Sequence, residues 1–117
     1  MSPLFDTAAP NPEGYRDLSV ERLAADPDEA RLVDVREPDE FVGELGHVAG
    51  AELVPLATVG RAAASWPRDQ ALVVICRSGG RSGRAARELV SLGFTRVMNL
   101  QGGMLAWNAA SLPIVRS

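Results

Sequence analysis

Residues 71–75, Ala-Leu-Val-Val-Ile, are apolar without alternation, the pattern of a strand covered on both faces inside a parallel sheet. The stretch 31–35, Arg-Leu-Val-Asp-Val, is short and partly β-branched and predicts a second strand, and 52–54 and 96–100 predict two more. Between 83 and 92 the period lengthens. Ala85, Ala86, Leu89, Val90 and Leu92 fall to one side and Arg84, Arg87, Glu88 and Ser91 to the other, which predicts an amphipathic helix closed by Gly93. Ser19 is placed to cap a short helix ending at Asp26-Pro27, since the residue before proline avoids the helical region. Pro38, followed by Asp39 and Glu40, suits a first helical turn. Further helices are expected over 56–64 and after Gly102-Gly103, the latter carrying Met104, Leu105 and Trp107.

Strands that alternate with helices predict an α/β fold, a central parallel sheet with helices on both faces. A chain of 117 residues is the size of one domain. Residues 1–14, rich in proline and small polar types, read as an N-terminal arm, leaving 15–117 as the domain. The composition, 46% hydrophobic and 23% charged, excludes disorder and coiled coil. No apolar run approaches the roughly 20 residues that span a bilayer, and the N-terminus lacks a basic then apolar leader. The expectation is a soluble cytoplasmic protein with no membrane partner.

Charge changes this picture in one region. The formal net charge of −3 argues against whole-domain attraction to nucleic acid. It is unevenly spread, because residues 1–60 hold 4 Arg against 13 acidic side chains, whereas 61–117 hold 8 Arg against Asp69 and Glu88 alone. Arg77, Arg81, Arg84 and Arg87 share one short stretch without interleaved aromatics, which suits a small anion rather than a nucleic-acid strand. Lysine is absent, which excludes lysine Schiff-base chemistry, and the Ala- and Arg-rich composition reads as bacterial.

The single cysteine, Cys76, has no disulfide partner and cannot alone make a structural zinc site, so no metal or other cofactor is expected. It stands where the most buried strand ends, and ligands of parallel sheets bind beyond the carboxyl ends of the strands. The loop Cys76-Arg77-Ser78-Gly79-Gly80-Arg81-Ser82 leads straight into a helix, whose free N–H groups favour an anion. Gly79 and Gly80 let the backbone curl its amides around the sulfur, Arg77 and Arg81 add positive charge, and the Ser78 and Ser82 hydroxyls are further donors. Taken singly, these are a tight turn, solvated arginines and a helix cap. Compressed into one strand-to-helix turn, they predict a thiol with a lowered pKa that acts as a nucleophile.

The loop resembles the active-site loop of the rhodanese family of sulfurtransferases, Cys-Arg-x-Gly-x-Arg-Ser or Thr, matched at Cys76, Arg77, Gly79, Arg81 and Ser82. Three further stretches resemble family boxes: 32–41, Leu-Val-Asp-Val-Arg-Glu-Pro-Asp-Glu-Phe; 46–51, Gly-His-Val-Ala-Gly-Ala; and Leu92-Gly93-Phe94 with 99–107, Asn-Leu-Gln-Gly-Gly-Met-Leu-Ala-Trp. The resemblance covers roughly 15–115 and implies a single rhodanese-like domain. It implies that Cys76 takes sulfane sulfur from thiosulfate or a persulfide donor, carries it as a persulfide, and passes it to cyanide or a thiol. Ser78, Gly79 and Gly80 complete the anion loop with Arg77, Arg81 and Ser82. With no second cysteine in the chain, the acceptor must come from outside. Phosphatases and arsenate reductases of this fold use a loop one residue longer, Cys-x5-Arg, whereas Cys76 to Arg81 is Cys-x4-Arg. The alternative reading is a sulfur carrier that works with protein donors or acceptors and turns over little free thiosulfate.

Asp34 and Arg36 leave a strand near the loop and read as a buried or half-buried supporting ion pair. His47 reads as part of a structural turn, because a thiolate held by amides needs no base. Trp66 and Trp107 read as packing anchors, and Glu37, Asp39, Glu40 and Glu44 as a solvated helix face. Phe41 and parts of 43–51 are expected to wall the pocket.

Overall fold

The computed structural model describes residues 3–117. The backbone runs α1 (Pro3–Thr7), β1 (Ala9–Pro10), β2 (Arg16–Leu18), α2 (Val20–Ala25), β3 (Arg31–Asp34), α3 (Pro38–Phe41), β4 (Glu52–Leu53), α4 (Val59–Ala63), β5 (Leu72–Ile75), α5 (Gly80–Ser91), β6 (Val97–Leu100) and α6 (Gly103–Ala109). The six strands form one sheet in the order β1-β2-β6-β5-β3-β4, parallel except for the antiparallel pair β1–β2 at one edge. Strand β5 lies between β6 and β3 and is completely buried, as its unbroken apolar run predicts.

Because side chains alternate along a strand, β5 feeds two cores. Leu72, Val74 and Cys76 face one layer with Val59 and Ala63 of α4 and Ala85, Ala86 and Leu89 of α5. Val73 and Ile75 face the other, with Leu23 of α2 and Met104 and Trp107 of α6. Truncating Leu72 or Ile75 to Ala costs about 2–5 kcal/mol, the range for deleting a fully buried aliphatic side chain. Cys76 therefore lies on the α5 side of the sheet. Helix α5 ends in a Schellman motif: Gly93 N–H bonds the Val90 carbonyl at 3.0 Å and Phe94 N–H bonds the Leu89 carbonyl at 3.1 Å, with Phe94 buried beneath.

The structure differs from the expectations at four points. Helix α5 begins at Gly80 rather than 83, so Arg81 and Ser82 belong to its first turn. The segment read as an arm carries α1 and β1, and Leu4 is fully buried in the α2–α6 core; a single short turn and a two-residue strand leave no periodicity to read. Strand β2 also escapes the sequence pattern, because three residues with one buried position show no alternation. The predicted helix over 56–64 is a 3-10 turn, Leu56–Thr58, running into α4.

Candidate active site

At the carboxyl end of β5 the chain must turn from strand to helix within a few residues, and Gly79 makes this possible. Its φ of +106° lies in the left-handed region that a residue with a Cβ rarely adopts. The turn brings its N–H to 3.0 Å from the Cys76 Sγ. From the first turn of α5, the Ser82 hydroxyl lies 3.2 Å from the same sulfur. Cys76 itself is 1% exposed.

Burial is the largest single influence on the thiol and pushes its pKa up. The Ser82 hydroxyl and the backbone N–H groups of Ser82, Gly79 and Ser78 together outweigh it, and the thiol lies below the ordinary cysteine value. The lowering thus comes from hydroxyl and amide donors. Arg77 is exposed and makes no side-chain hydrogen bond among the described residues, and Ser78 contributes through its backbone rather than its hydroxyl. Gly80 is exposed at the start of α5, with open space where a side chain would stand.

Arg81 is engaged elsewhere. Its Nη1 and Nη2 donate to Glu40 Oε1 and Oε2 at 2.7 and 2.8 Å. This corrects the reading of Glu40 as part of a solvated face: its side chain reaches across from α3, and its Oε1 also accepts from Glu37 N–H at 3.0 Å. The Arg81 hydrogen bonds, against an opposing burial effect, hold the Glu40 carboxyl down at about 2.

Behind the loop, Asp34 and Arg36 form a buried ion pair, 0% and 1% exposed. Arg36 Nε donates to Asp34 Oδ1 at 2.9 Å and its Nη2 to Oδ2 at 2.8 Å, while further bonds reach the carbonyls of Gly46 at 2.7 Å and Glu40 at 3.3 Å. One guanidinium thereby ties the end of β3 to α3 and to the following turn. His47 is part of that turn, its Nδ1 2.7 Å from the Phe41 carbonyl and its ring stacked on Phe41 at 3.5 Å. Trp66 meets Phe94 edge to face, and the Trp107 indole N–H donates to the Pro113 carbonyl at 2.8 Å.

Two contributors were not singled out from sequence. The N–H groups of Met104 and Leu105, in the first turn of α6, donate to the carbonyls of Cys76 and Arg77, each at 2.9 Å. Gly103 sits against this backbone so closely that a Cβ would lie 2.7 Å from the Arg77 carbonyl. Asn99, buried on β6, has its Oδ1 2.5 Å from the Ser82 hydroxyl oxygen and donates through Nδ2 to the Gly79 carbonyl at 3.3 Å. Asn99 and Gly103 lie in the Asn-Leu-Gln-Gly-Gly stretch, which Met104 and Leu105 follow directly.

A cavity of about 760 Å³ runs along the outer face of α5, past Arg81, Arg84, Glu88 and Ser91, with Val35 and Leu56 opposite. Cys76 is not among the residues that line it.

The family model described as a rhodanese-like domain matches residues 19–110. A sulfurtransferase of Allochromatium vinosum is 37% identical over 97 residues, 83% of this chain and 89% of the relative. The thiosulfate sulfurtransferase GlpE of Pseudoalteromonas translucida is 32% identical over 85 residues, 73% of this chain and 79% of its own length. The match to an uncharacterised Synechocystis protein, 42% identical over 74% of this chain, spans only 47% of that relative. In three dimensions, a rhodanese-related protein of Thermoplasma volcanium superposes with a TM-score of 0.80 at 28% identity, over 88% of this chain and all of that one.

Proposed function

We propose that this chain, which belongs to the rhodanese-like domain family of sulfurtransferases, moves sulfane sulfur from thiosulfate to a thiophilic acceptor through a persulfide on Cys76. One observation carries the reading: a lone, buried sulfur at the end of the central strand, facing the N–H of Gly79 and the hydroxyl of Ser82, with its thiol pKa lowered.

In the first step the Cys76 thiolate attacks the outer sulfur of thiosulfate. The S–S bond to the sulfonate breaks, its electron pair leaves with sulfite, and Cys76 holds a persulfide anion. In the second, cyanide or a thiolate attacks the terminal sulfur, and the pair of the breaking S–S bond returns to Cys76. The same donors serve both anions, since the charge stays within one atom of where it began. Arg77, Arg81 and the loop from Ser78 to Ser82 receive the donor. Asp34 and Arg36 support the loop without touching it chemically. Covalent transfer between two partners predicts ping-pong kinetics.

The second reading, a carrier exchanging sulfur with protein partners, is favoured by the likeness to a putative sulfur carrier protein of Bacillus subtilis, 34% identical over 83% of this chain and 53% of that relative. Intact mass distinguishes the two. A gain of about 32 Da after thiosulfate, lost on adding cyanide and absent from Cys76→Ser, supports thiosulfate transfer. A gain only from a protein persulfide donor supports the carrier, and no gain from either overturns both.

A further inference from the structure

The Ser82 hydroxyl faces two acceptors with one hydrogen. Its oxygen lies 2.5 Å from Asn99 Oδ1 and 3.2 Å from Cys76 Sγ, and a hydroxyl donates a single proton. The amide orientation follows from its other end, where Asn99 Nδ2 donates to the Gly79 carbonyl at 3.3 Å. Turning the amide over would set Oδ1 against that carbonyl, two acceptors facing each other. We propose that Asn99 is a positioning residue that competes with the Cys76 sulfur for the one hydroxyl proton of Ser82. The proposal rests on the reading of Cys76 as the nucleophile.

Each protonation state uses the trio differently. With the thiol protonated, the S–H donates to the Ser82 oxygen and the Ser82 hydroxyl donates to Asn99 Oδ1, so every group is satisfied. When the thiol proton leaves to solvent, the Ser82 hydrogen rotates toward the sulfur. Asn99 Oδ1 then faces the Ser82 oxygen with no proton between them. Asn99 therefore opposes the thiolate, while the amide of Gly79 favours it. The contacts are buried, Ser82 at 0% and Asn99 at 6% exposed, so solvent does little to relieve the conflict. Other titratable or charged groups near the trio are Tyr15, whose hydroxyl faces Gly83 of α5 beside Asn99, Arg77 next to the cysteine in the chain, Arg81 held by Glu40, and the Asp34–Arg36 pair at the end of the adjacent strand. None of these contacts Ser82 or Asn99 through a side-chain hydrogen bond.

The chemical benefit lies in balance. Nucleophilicity of a thiolate falls as its pKa falls, so a sulfur over-stabilised by its donors attacks sluggishly. By withholding one donor, Asn99 leaves the sulfur more reactive per thiolate.

The test is the pH profile of Cys76 alkylation by iodoacetamide, a readout independent of sulfur transfer because the chain has no other cysteine. Asn99→Leu shifts the midpoint to lower pH and speeds alkylation on the acid side about threefold, the product of more thiolate and a weaker nucleophile. Ser82→Ala shifts the midpoint to higher pH. In the Ser82→Ala background Asn99→Leu shifts it no further toward acid, and that background also reads any desolvation caused by leucine itself. Asn99→Asp, which keeps the acceptor and adds charge, moves the midpoint up. Circular dichroism establishes that each variant is folded; if Asn99→Leu is not, Asn99→Ala replaces it with the same expected sign. The proposal is overturned if the Leu or Ala variant raises or leaves the midpoint, or acts equally without Ser82. Failure of thiosulfate to load the wild type would overturn the proposed function and leave this result standing.

Discussion

Arg81 and Glu40, 41 positions apart, meet through two hydrogen bonds of 2.7 and 2.8 Å, so the loop arginine proposed to receive the donor is already held by a carboxylate. An incoming anion must compete with Glu40 for it. Glu40→Gln is expected to lower KM for thiosulfate, by about three- to tenfold for one released charge-assisted contact, with kcat little changed. Arg81→Ala raises KM. Steady-state kinetics of both variants check this, and an unchanged KM in Glu40→Gln would remove Arg81 from the donor site.

The same pair sets a pH dependence of stability. Glu40 titrates at about 2 in the fold against an ordinary 4.5, so its contribution is present above 4.5 and is lost as pH falls through 2. Both side chains are about a third exposed, which limits the contribution to under about 1 kcal/mol. Melting temperatures of the wild type and Glu40→Gln should differ by a constant amount above pH 4.5 and converge toward pH 2.

For Cys76 the sign is the same and the window is alkaline. A thiol whose pKa is lowered on folding stabilises the fold above the unfolded value, about 8.5, and loses that contribution as pH falls through the folded value. Relative to Cys76→Ser, the wild type should gain stability as pH rises from neutral through 8.5. The thiosulfate half-reaction should be flat at alkaline pH and fall off with a midpoint below 8.5. A midpoint at or above that value contradicts the role given to the amides and to Ser82.

Asp34→Asn leaves the Arg36 guanidinium buried without its counter-charge and should cost about 3–5 kcal/mol by urea denaturation. Replacing both residues by apolar ones should cost less than the sum of the single changes. Residual activity of Asp34→Asn should follow the folded fraction, as expected of a supporting rather than a reacting group.

Gly103→Ala would drive a methyl into the carbonyls of Cys76 and Arg77, where only backbone can yield. Because φ there is +55°, the substitution is strained as well. The expected result is a loss of kcat of at least about tenfold from a displaced nucleophile, with the protein still folded. Alkylation of Cys76 should shift in parallel, which separates loop displacement from lost donor binding.

Much of this protein is written locally. The unbroken run of β5 named the central strand, the change of period at 83 named α5, and the crowding of Cys76, Gly79, Arg81 and Ser82 into one turn named the candidate nucleophile and its loop. The readings of β5 and α5 hold because strand burial and helix amphipathicity are properties of neighbouring residues. What the sequence left open concerns partners far apart in the chain. Leu4, Glu40, Asn99 and Gly103 carry no local mark of their roles, since each acts on a group that only folding brings near. Glu40 looks like any acidic residue in a first helical turn until α3 packs beside α5, and Asn99 like any strand polar residue until β6 is laid against β5. Which donors lower the thiol pKa was therefore decided by tertiary structure. The short-range geometry of hydrogen bonds, set by the sheet order, gave that task to Ser82 and the loop amides, while Arg81 went to Glu40.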